Sequence, residues 1–323
     1  MLVLAEASNW LNRCSSLAAD WPLQDLLEAK GSTRISVVLP ARDEQDTVGL
    51  IVSAIRRDLV ERAPLVDEIV VIDSRSSDAT AEIAAAAGAK VFAQDAILPR
   101  LPSMSGKGEA LWKSLAVTTG DLVVFVDADL LNFSSTFVTG LLGPLLSDPS
   151  VSLVKACYDR PYNGGEASFA GGGRVTELVA RPLINMHWPQ LAGVVQPLSG
   201  EYAGRRSLLE RLPFVTGYGV ELGLLLDTVH LEGLDALAQV DLGVRVHSHN
   251  STEALGAMAS QIMQTAWTRL DRQGLMLALS QPSSDLTQFH RGPSGYVPAD
   301  RDAAVGERPP MIQIPEYASL QPR

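Results

Sequence analysis

Apolar and polar positions alternate along the chain in short blocks of two different periods. Leu122 to Val126 are five consecutive apolar residues, followed at once by Asp127-Ala128-Asp129. A short apolar run rich in β-branched residues predicts a strand buried on both faces. Residues 35–39, stopped by Pro40, and 68–72, ending in Asp73-Ser74, have the same form, and 90–93 is a shorter example. The stretches between them have helical spacing. Val48, Ile51, Ile55 and Leu59 recur on one face over 44–59. Ser76, Ser77 and Asp78 offer N-caps for a helix through Ala87, which Gly88 closes, and 109–117 is a helix followed by Gly120. Strand and helix thus alternate, which predicts a parallel, doubly wound α/β sheet with right-handed crossovers.

The pattern continues with a helix over 134–146 and a strand over 151–157. Residues 158–173 are rich in Gly, Pro, Tyr and Asn and predict a long functional loop. Helices are expected at 174–187 and 221–231, strands near 193–198 and 236–246, and a closing helix over 252–270. Ahead of the first strand, residues 1–33 form a leader with one helix over 22–30. From Gln281 onward Pro, Ser, Gln and Asp dominate, so the tail is expected to be extended and partly disordered.

Composition narrows the function classes. The chain has 323 residues, 46% of them hydrophobic and 20% charged, as in soluble globular proteins. A net charge of -11 argues against a general nucleic-acid binder but not against a local basic pocket. Cys14 and Cys157 make no disulfide framework and fit a reducing cytoplasm. The opening Met-Leu-Val-Leu-Ala-Glu is a poor signal peptide, and no run approaches the roughly 18 apolar residues of a spanning helix.

The chemistry sits where strands end. Two carboxylates just past a buried strand repel each other unless a cation joins them, and Mg²⁺ or Mn²⁺ suits Asp127 and Asp129. Pro40-Ala41-Arg42-Asp43-Glu44, Asp73-Ser74-Arg75-Ser76 and Asp127-Ala128-Asp129 bring three polar strand tips to the sheet edge where a nucleotide would lie. Any one tip alone reads better as a capped turn, and it is their joint occurrence that favours the nucleotide site. Ser105-Gly106-Lys107-Gly108-Glu109 opens a helix suited to a diphosphate, although it lacks the spacing of a P-loop. Gly171-Gly172-Gly173-Arg174-Val175-Thr176 forms either a phosphate cradle or a hinge with a solvated arginine. Gly217-Tyr218-Gly219-Val220-Glu221 puts a ring and a carboxylate at a helix start, facing a sugar or simply completing the helix dipole. Arg245, His247 and His249 alternate onto one face of a strand end, where a histidine serves as a metal ligand or simply as polar surface.

Together these residues resemble the retaining GT-A glycosyltransferases known as glucosyl-3-phosphoglycerate synthases of actinobacteria, with mannosyl-3-phosphoglycerate synthases as near relatives. The likeness covers roughly 33–275. It is most specific at Gly106 to Trp112, Gly171 to Pro182, Gln196 to Tyr202 and Gly217 to Glu221. It implies a Rossmann-like, mostly parallel sheet flanked by helices, with a helical C-terminal extension. The catalytic domain would span 34–250, divided into a nucleotide-sugar half (34–129) and an acceptor half (130–250), with helix and tail in 251–323.

The implied activity is metal-dependent glucosyl transfer from UDP-glucose to 3-phosphoglycerate. Glu221, Asp129 and Lys107 would be catalytic. Pro40, Ala41, Arg42, Glu44, Ser74, Lys107, Asp127, Leu198, Tyr218, Glu221 and Arg245 would hold the donor. Gly173, Arg174 and Thr176 would hold the acceptor phosphate, with His249 and Asn250 beside it, and Asp129 and His247 would bind the divalent metal. A cytoplasmic homodimer is implied, with no nucleic-acid or membrane partner.

The chain departs from the family pattern in three places. Asp43 stands where Asn is usual, Arg75 where Gly is usual, and Ser248-His249-Asn250 where Arg-Asn-Arg usually follows the metal histidine. The rival functions are GDP-mannose transfer, a different acidic acceptor, a catalytically silent binding protein, and a sugar-phosphate nucleotidyltransferase. The last would carry a glycine-rich loop after its first strand, where this chain has none.

Overall fold

The computed structural model describes residues 5–159, 173–245, 251–277 and 279–319. Nine of its strands matter for the site. They are β1 (Ser15–Leu17), β2 (Ile35–Ala41), β3 (Glu68–Asp73), β4 (Lys90–Ala93), β5 (Leu122–Phe125), β6 (Leu153–Asp159), β7 (Tyr202–Arg205), β8 (Phe214–Val215) and β9 (Leu237–Val244). All but β8 form one eight-stranded sheet in the order β1-β9-β6-β7-β5-β2-β3-β4. Seven of these are joined by parallel pairings, as β2 with β3 and β5, β3 with β4, and β9 with β6 and β1. The expected mostly parallel sheet flanked by helices is therefore present. Its exception is β7, antiparallel to both β5 and β6, which joins the two parallel halves.

The apolar runs behave as doubly buried strands. Val37, Leu39, Val71 and Val124 face one core, together with the helices Val48–Arg56 and Thr136–Ser147. The alternate residues Val38, Val70, Ile72, Val123 and Phe125 face the other, under the helices Lys107–Ser114 and Val220–Glu232. The period of two thus places the apolar residues of these central strands in one core or the other, each contributing about 1.5–3 kcal/mol of burial.

Several elements differ from expectation. β2 does not stop before Pro40 but runs through it to Ala41, because a proline near a strand end costs only its missing N–H. No strand forms over 193–198: a 3₁₀ turn occupies Pro189–Gly193, and Pro197 breaks the ladder before β7. The segment read as a leader supplies β1, which pairs with β9 at the sheet edge, and Trp10, whose indole donates to the carbonyls of Leu234 and Leu237.

The tail is not simply extended. β10 (Asp285–Gly292) and β11 (Gly295–Asp302) form an antiparallel hairpin. β12 (Glu307–Arg308) then pairs with β8, and Met311 and Tyr317 are buried in the core. Its polar, largely exposed strands carry no apolar periodicity, which is why composition alone suggested disorder. No helix among the described residues is long and apolar enough to cross a membrane.

Candidate active site

The carboxyl ends of β2, β3 and β5 lie side by side and bring the polar tips together. At the end of β2, Asp43 adopts a left-handed conformation (φ 57°) and accepts hydrogen bonds from the Ser77 amide at 2.7 Å and its hydroxyl at 3.0 Å. Asp and Asn both tolerate this region, so the unusual Asp fits the backbone as an Asn would. Arg75, at the end of β3, is also left-handed (φ 65°). An arginine is strained there where glycine is free. Its fork to Asp95, at 2.7 and 3.0 Å, anchors it in that strained position. Ser74 donates to Gln94 Oε1 at 2.9 Å, and Thr47 donates to the Ala128 carbonyl at 2.5 Å, tying the first tip to the third.

Five of the expected residues meet by direct contact. Lys107 Nζ lies 2.5 Å from Asp127 Oδ1 and 3.0 Å from Glu221 Oε1. Arg245 Nη2 lies 2.9 Å from Asp127 Oδ2 and 3.3 Å from Asp129 Oδ1. Lys107 reaches this position because its helix begins tight against another turn. Gly106 is left-handed (φ 111°), and a Cβ on Gly108 would stand 1.8 Å from the Val215 carbonyl. The Gly108 amide donates to the Thr216 carbonyl at 3.0 Å. Burial alone would lower the Lys107 pKa, but Asp127 and Glu221 outweigh it and raise it well above the ordinary lysine value. The ammonium therefore stays charged.

The other residues expected at the donor differ in exposure. Ala41 is buried and Arg42 exposed. Burial, followed by repulsion from Asp129 and Asp127, pushes the Glu44 carboxyl up to about 7. Leu198 is half-buried, Tyr218 is 49% exposed, and Glu221 is buried at the start of its helix. Gly173, Arg174 and Thr176 belong to a different helical segment, with Thr176 buried and Arg174 exposed at its start. His247, His249 and Asn250 lie outside the described residues.

Three residues given no role above complete the cluster. Glu201 accepts from Arg245 Nε at 3.0 Å and from the Tyr158 hydroxyl at 2.7 Å. Lys155, buried in β6, donates to the Ser199 carbonyl at 2.7 Å and lies over the Tyr202 ring. A Cβ on Gly200 would stand 2.1 Å from Asp127 Oδ2 and 2.6 Å from Lys107 Nζ, so only glycine lets the backbone pass. Lysine in the middle of an apolar strand was a legible signal, since lysine is almost never fully buried without a partner.

Among the described residues the charges do not balance. Asp127, Asp129, Glu201 and Glu221 oppose Lys107, Lys155 and Arg245, four carboxylates against three cations, with Glu44 nearby. Burial, and then Asp127, raises the Asp129 pKa. Among the described residues no group of three or more His, Cys, Asp or Glu converges as a complete metal cage. A carboxylate set with excess negative charge fits a hard divalent cation that draws its remaining ligands from phosphate oxygens.

Residues 36–212 match the family model for glycosyl transferase family 2. The chain belongs to the family 2 glycosyltransferases, on the branch of the glucosyl-3-phosphoglycerate synthases. It is 46% identical to the glucosyl-3-phosphoglycerate synthase of Mycolicibacterium smegmatis, over 94% of this chain and 98% of that one. Among solved structures, the mannosyl-3-phosphoglycerate synthase of Rubrobacter xylanophilus superposes with a TM-score of 0.89 at 39% identity, covering 95% of this chain and 99% of that one. The glucosyl-3-phosphoglycerate synthase of Mycobacterium tuberculosis, in complex with Mn²⁺, UDP and phosphoglyceric acid, gives 0.79 at 45% identity, covering 90% and 94%. This glycosyltransferase has the GT-A arrangement implied by its sequence, with a helical C-terminal region.

Proposed function

We propose that the chain transfers glucose from UDP-glucose to the hydroxyl of D-glycerate 3-phosphate, retaining the anomeric configuration, with Mg²⁺ or Mn²⁺ as cofactor. The observation that carries this is the Lys107 ammonium bridging Asp127 and Glu221 at the carboxyl edge of the parallel strands, beside Asp129 at the same strand tip. The solved relative bound to Mn²⁺, UDP and phosphoglyceric acid supports donor, metal and acceptor together.

Asp129 with His247 would hold the cation, which when bound supplies positive charge to the departing diphosphate. Pro40, Ala41, Arg42, Glu44, Ser74 and Asp127 receive the uridine diphosphate, and Leu198, Tyr218 and Arg245 surround the sugar. Lys107 adds a fixed positive charge beside the diphosphate. Glu221 holds negative charge where positive charge develops on the anomeric carbon. Gly173, Arg174 and Thr176 hold the acceptor phosphate, with His249 and Asn250 alongside. The bond from the anomeric carbon to the diphosphate breaks and a bond to the glycerate oxygen forms on the same face. The hydroxyl proton passes to the leaving diphosphate oxygen.

The protein works in the cytoplasm, a setting supported by its two free cysteines, and its source is an actinobacterium, a reading supported by its likeness to the mycobacterial enzymes. It pairs as a homodimer, for which the β10–β11 hairpin offers Phe289 and Tyr296, 64% and 72% exposed. Mannosyl transfer from GDP-mannose is the second reading, favoured by the superposition on the Rubrobacter xylanophilus enzyme. One mass-spectrometric assay separates the two. It offers 3-phosphoglycerate with UDP-glucose, GDP-mannose or GDP-glucose, with and without Mg²⁺ or Mn²⁺. Product from UDP-glucose only with metal supports the proposal, and product from GDP-mannose alone overturns it.

A further inference from the structure

The C-terminal tail reaches back to the helices that carry Lys107 and Glu221. The Gly306 carbonyl accepts from the Thr216 amide at 2.9 Å, and the Thr216 carbonyl accepts from Gly108, one residue past Lys107. Arg308 forks onto Glu109 with two contacts of 2.7 Å, and both side chains are nearly inaccessible to water. Its guanidinium also donates to the Pro102 carbonyl at 2.5 Å and lies over the Trp112 ring. Trp112 donates to the Pro309 carbonyl at 2.9 Å. The Lys107 helix is thus gripped at its entry loop, its first turn and its middle.

Glu307 grips the other helix. Its carboxylate pairs with Arg269, which is buried in the closing helix, and with Arg272 at 2.6 Å. Arg269 in turn pairs with Asp227 at 2.6 Å, on the helix that begins at Val220 and carries Glu221. Buried ion pairs of this kind are weak sources of net stability, but breaking one strands an uncompensated charge. They are better suited to fixing geometry than to holding the fold together.

We propose that Glu307 and Arg308 are positioning residues: they form a strap that sets the Lys107 helix against the Glu221 helix, so that one ammonium spans Asp127 and Glu221. The strap lies outside residues 36–212, the segment matched by the family model. Its consequence for catalysis rests on the transferase function proposed above. Its consequence for the two helices does not.

The test uses the full-length protein and the variants Arg308→Met, Arg308→Lys and Glu307→Gln. Hydrogen exchange over 103–114 and 214–224 is read without substrate, and kcat and both KM values are read per folded molecule. For Arg308→Met the expectation is exchange at least ~10-fold faster in both segments, kcat ~10-fold lower, and acceptor KM within ~2-fold of the parent. Arg308→Lys should recover most of kcat, because it restores the charge beside Glu109. If Arg308→Met does not fold, Glu307→Gln decides, with an expected ~3-fold loss of kcat and faster exchange over 214–224. Unchanged kcat and exchange per folded molecule, with only a lower melting temperature, would overturn the strap. A parent protein inactive with 3-phosphoglycerate would overturn the function alone, since the exchange data still decide the strap.

Discussion

Arg245 and Asp127 are 118 residues apart in the chain, yet a guanidinium nitrogen of one lies 2.9 Å from a carboxylate oxygen of the other. The same nitrogen reaches Asp129 at 3.3 Å, so a protein cation already bridges the carboxylate pair. Removing it should leave Asp127, Asp129 and Glu201 short of one buried positive charge, at a cost of about 3–5 kcal/mol. Arg245→Met should therefore melt at least ~6 °C lower without metal. Added Mn²⁺ should raise its melting temperature more than it raises the parent's, because the ion restores the missing charge. A Mn²⁺ shift equal to or smaller than the parent's would refute this balance.

Asp129 is one-third exposed at a strand tip and not part of either core. Asp129→Ala should keep its fold and lose metal-dependent turnover by at least ~100-fold, the scale for losing a charge-stabilising group. Circular dichroism and turnover with and without EDTA check both halves. Near-parental activity in EDTA would remove Asp129 from the metal site.

Gly200 leaves no room for a side chain beside the Lys107–Asp127 pair. In Gly200→Ala the new methyl would meet Asp127 Oδ2 and Lys107 Nζ, forcing the ion pair apart. A loss of kcat of at least ~10-fold is expected, with a cooperative melt retained. Steady-state kinetics beside a thermal scan would show it, and unchanged kcat would mean that the pair can shift without consequence.

Arg174 stands exposed at a helix start. A charge-assisted contact to phosphate is worth about 1.5–3 kcal/mol, so Arg174→Ala should raise the acceptor KM roughly 10- to 150-fold. The donor KM should stay near the parent's. Equal damage to both would move this residue to the donor side.

Glu44 gives a pH signature. Burial, then Asp129 and Asp127, lift its carboxyl from an ordinary 4.5 to about 7. Between those values the folded protein binds more protons than the unfolded chain, so this residue makes stability fall as pH rises through the window. Glu44→Gln should flatten the decline in melting temperature between pH 5 and 8. An unchanged slope would show that Glu44 ionises normally.

Much of this molecule was legible along the chain. The apolar runs ending in acid gave β2, β3 and β5 with their tips, because a doubly buried strand needs a continuous apolar run wherever it occurs. The helix start at Lys107 and the Glu221 turn were visible in their glycines, which mark close backbone approach. Other features depended on contacts between distant segments. The antiparallel insertion of β7 and the closure of β12 onto β8 are pairings whose partners lie far away in sequence. The polar strands of the hairpin lack the alternation that reports a core face.

The candidate site divides in the same way. Asp127, Asp129, Lys107 and Glu221 could each be marked from local pattern and family resemblance, since a carboxylate at a strand tip or a lysine at a helix start is a local feature. That Lys107 joins Asp127 to Glu221, that Arg245 lies against both aspartates, and that Arg308 reaches Glu109 across 199 residues was decided only by the tertiary structure. An ion pair is set by distance in space, and in this chain that distance is fixed by how two packed cores bring helices and strand ends from opposite ends of the sequence to one edge of the sheet.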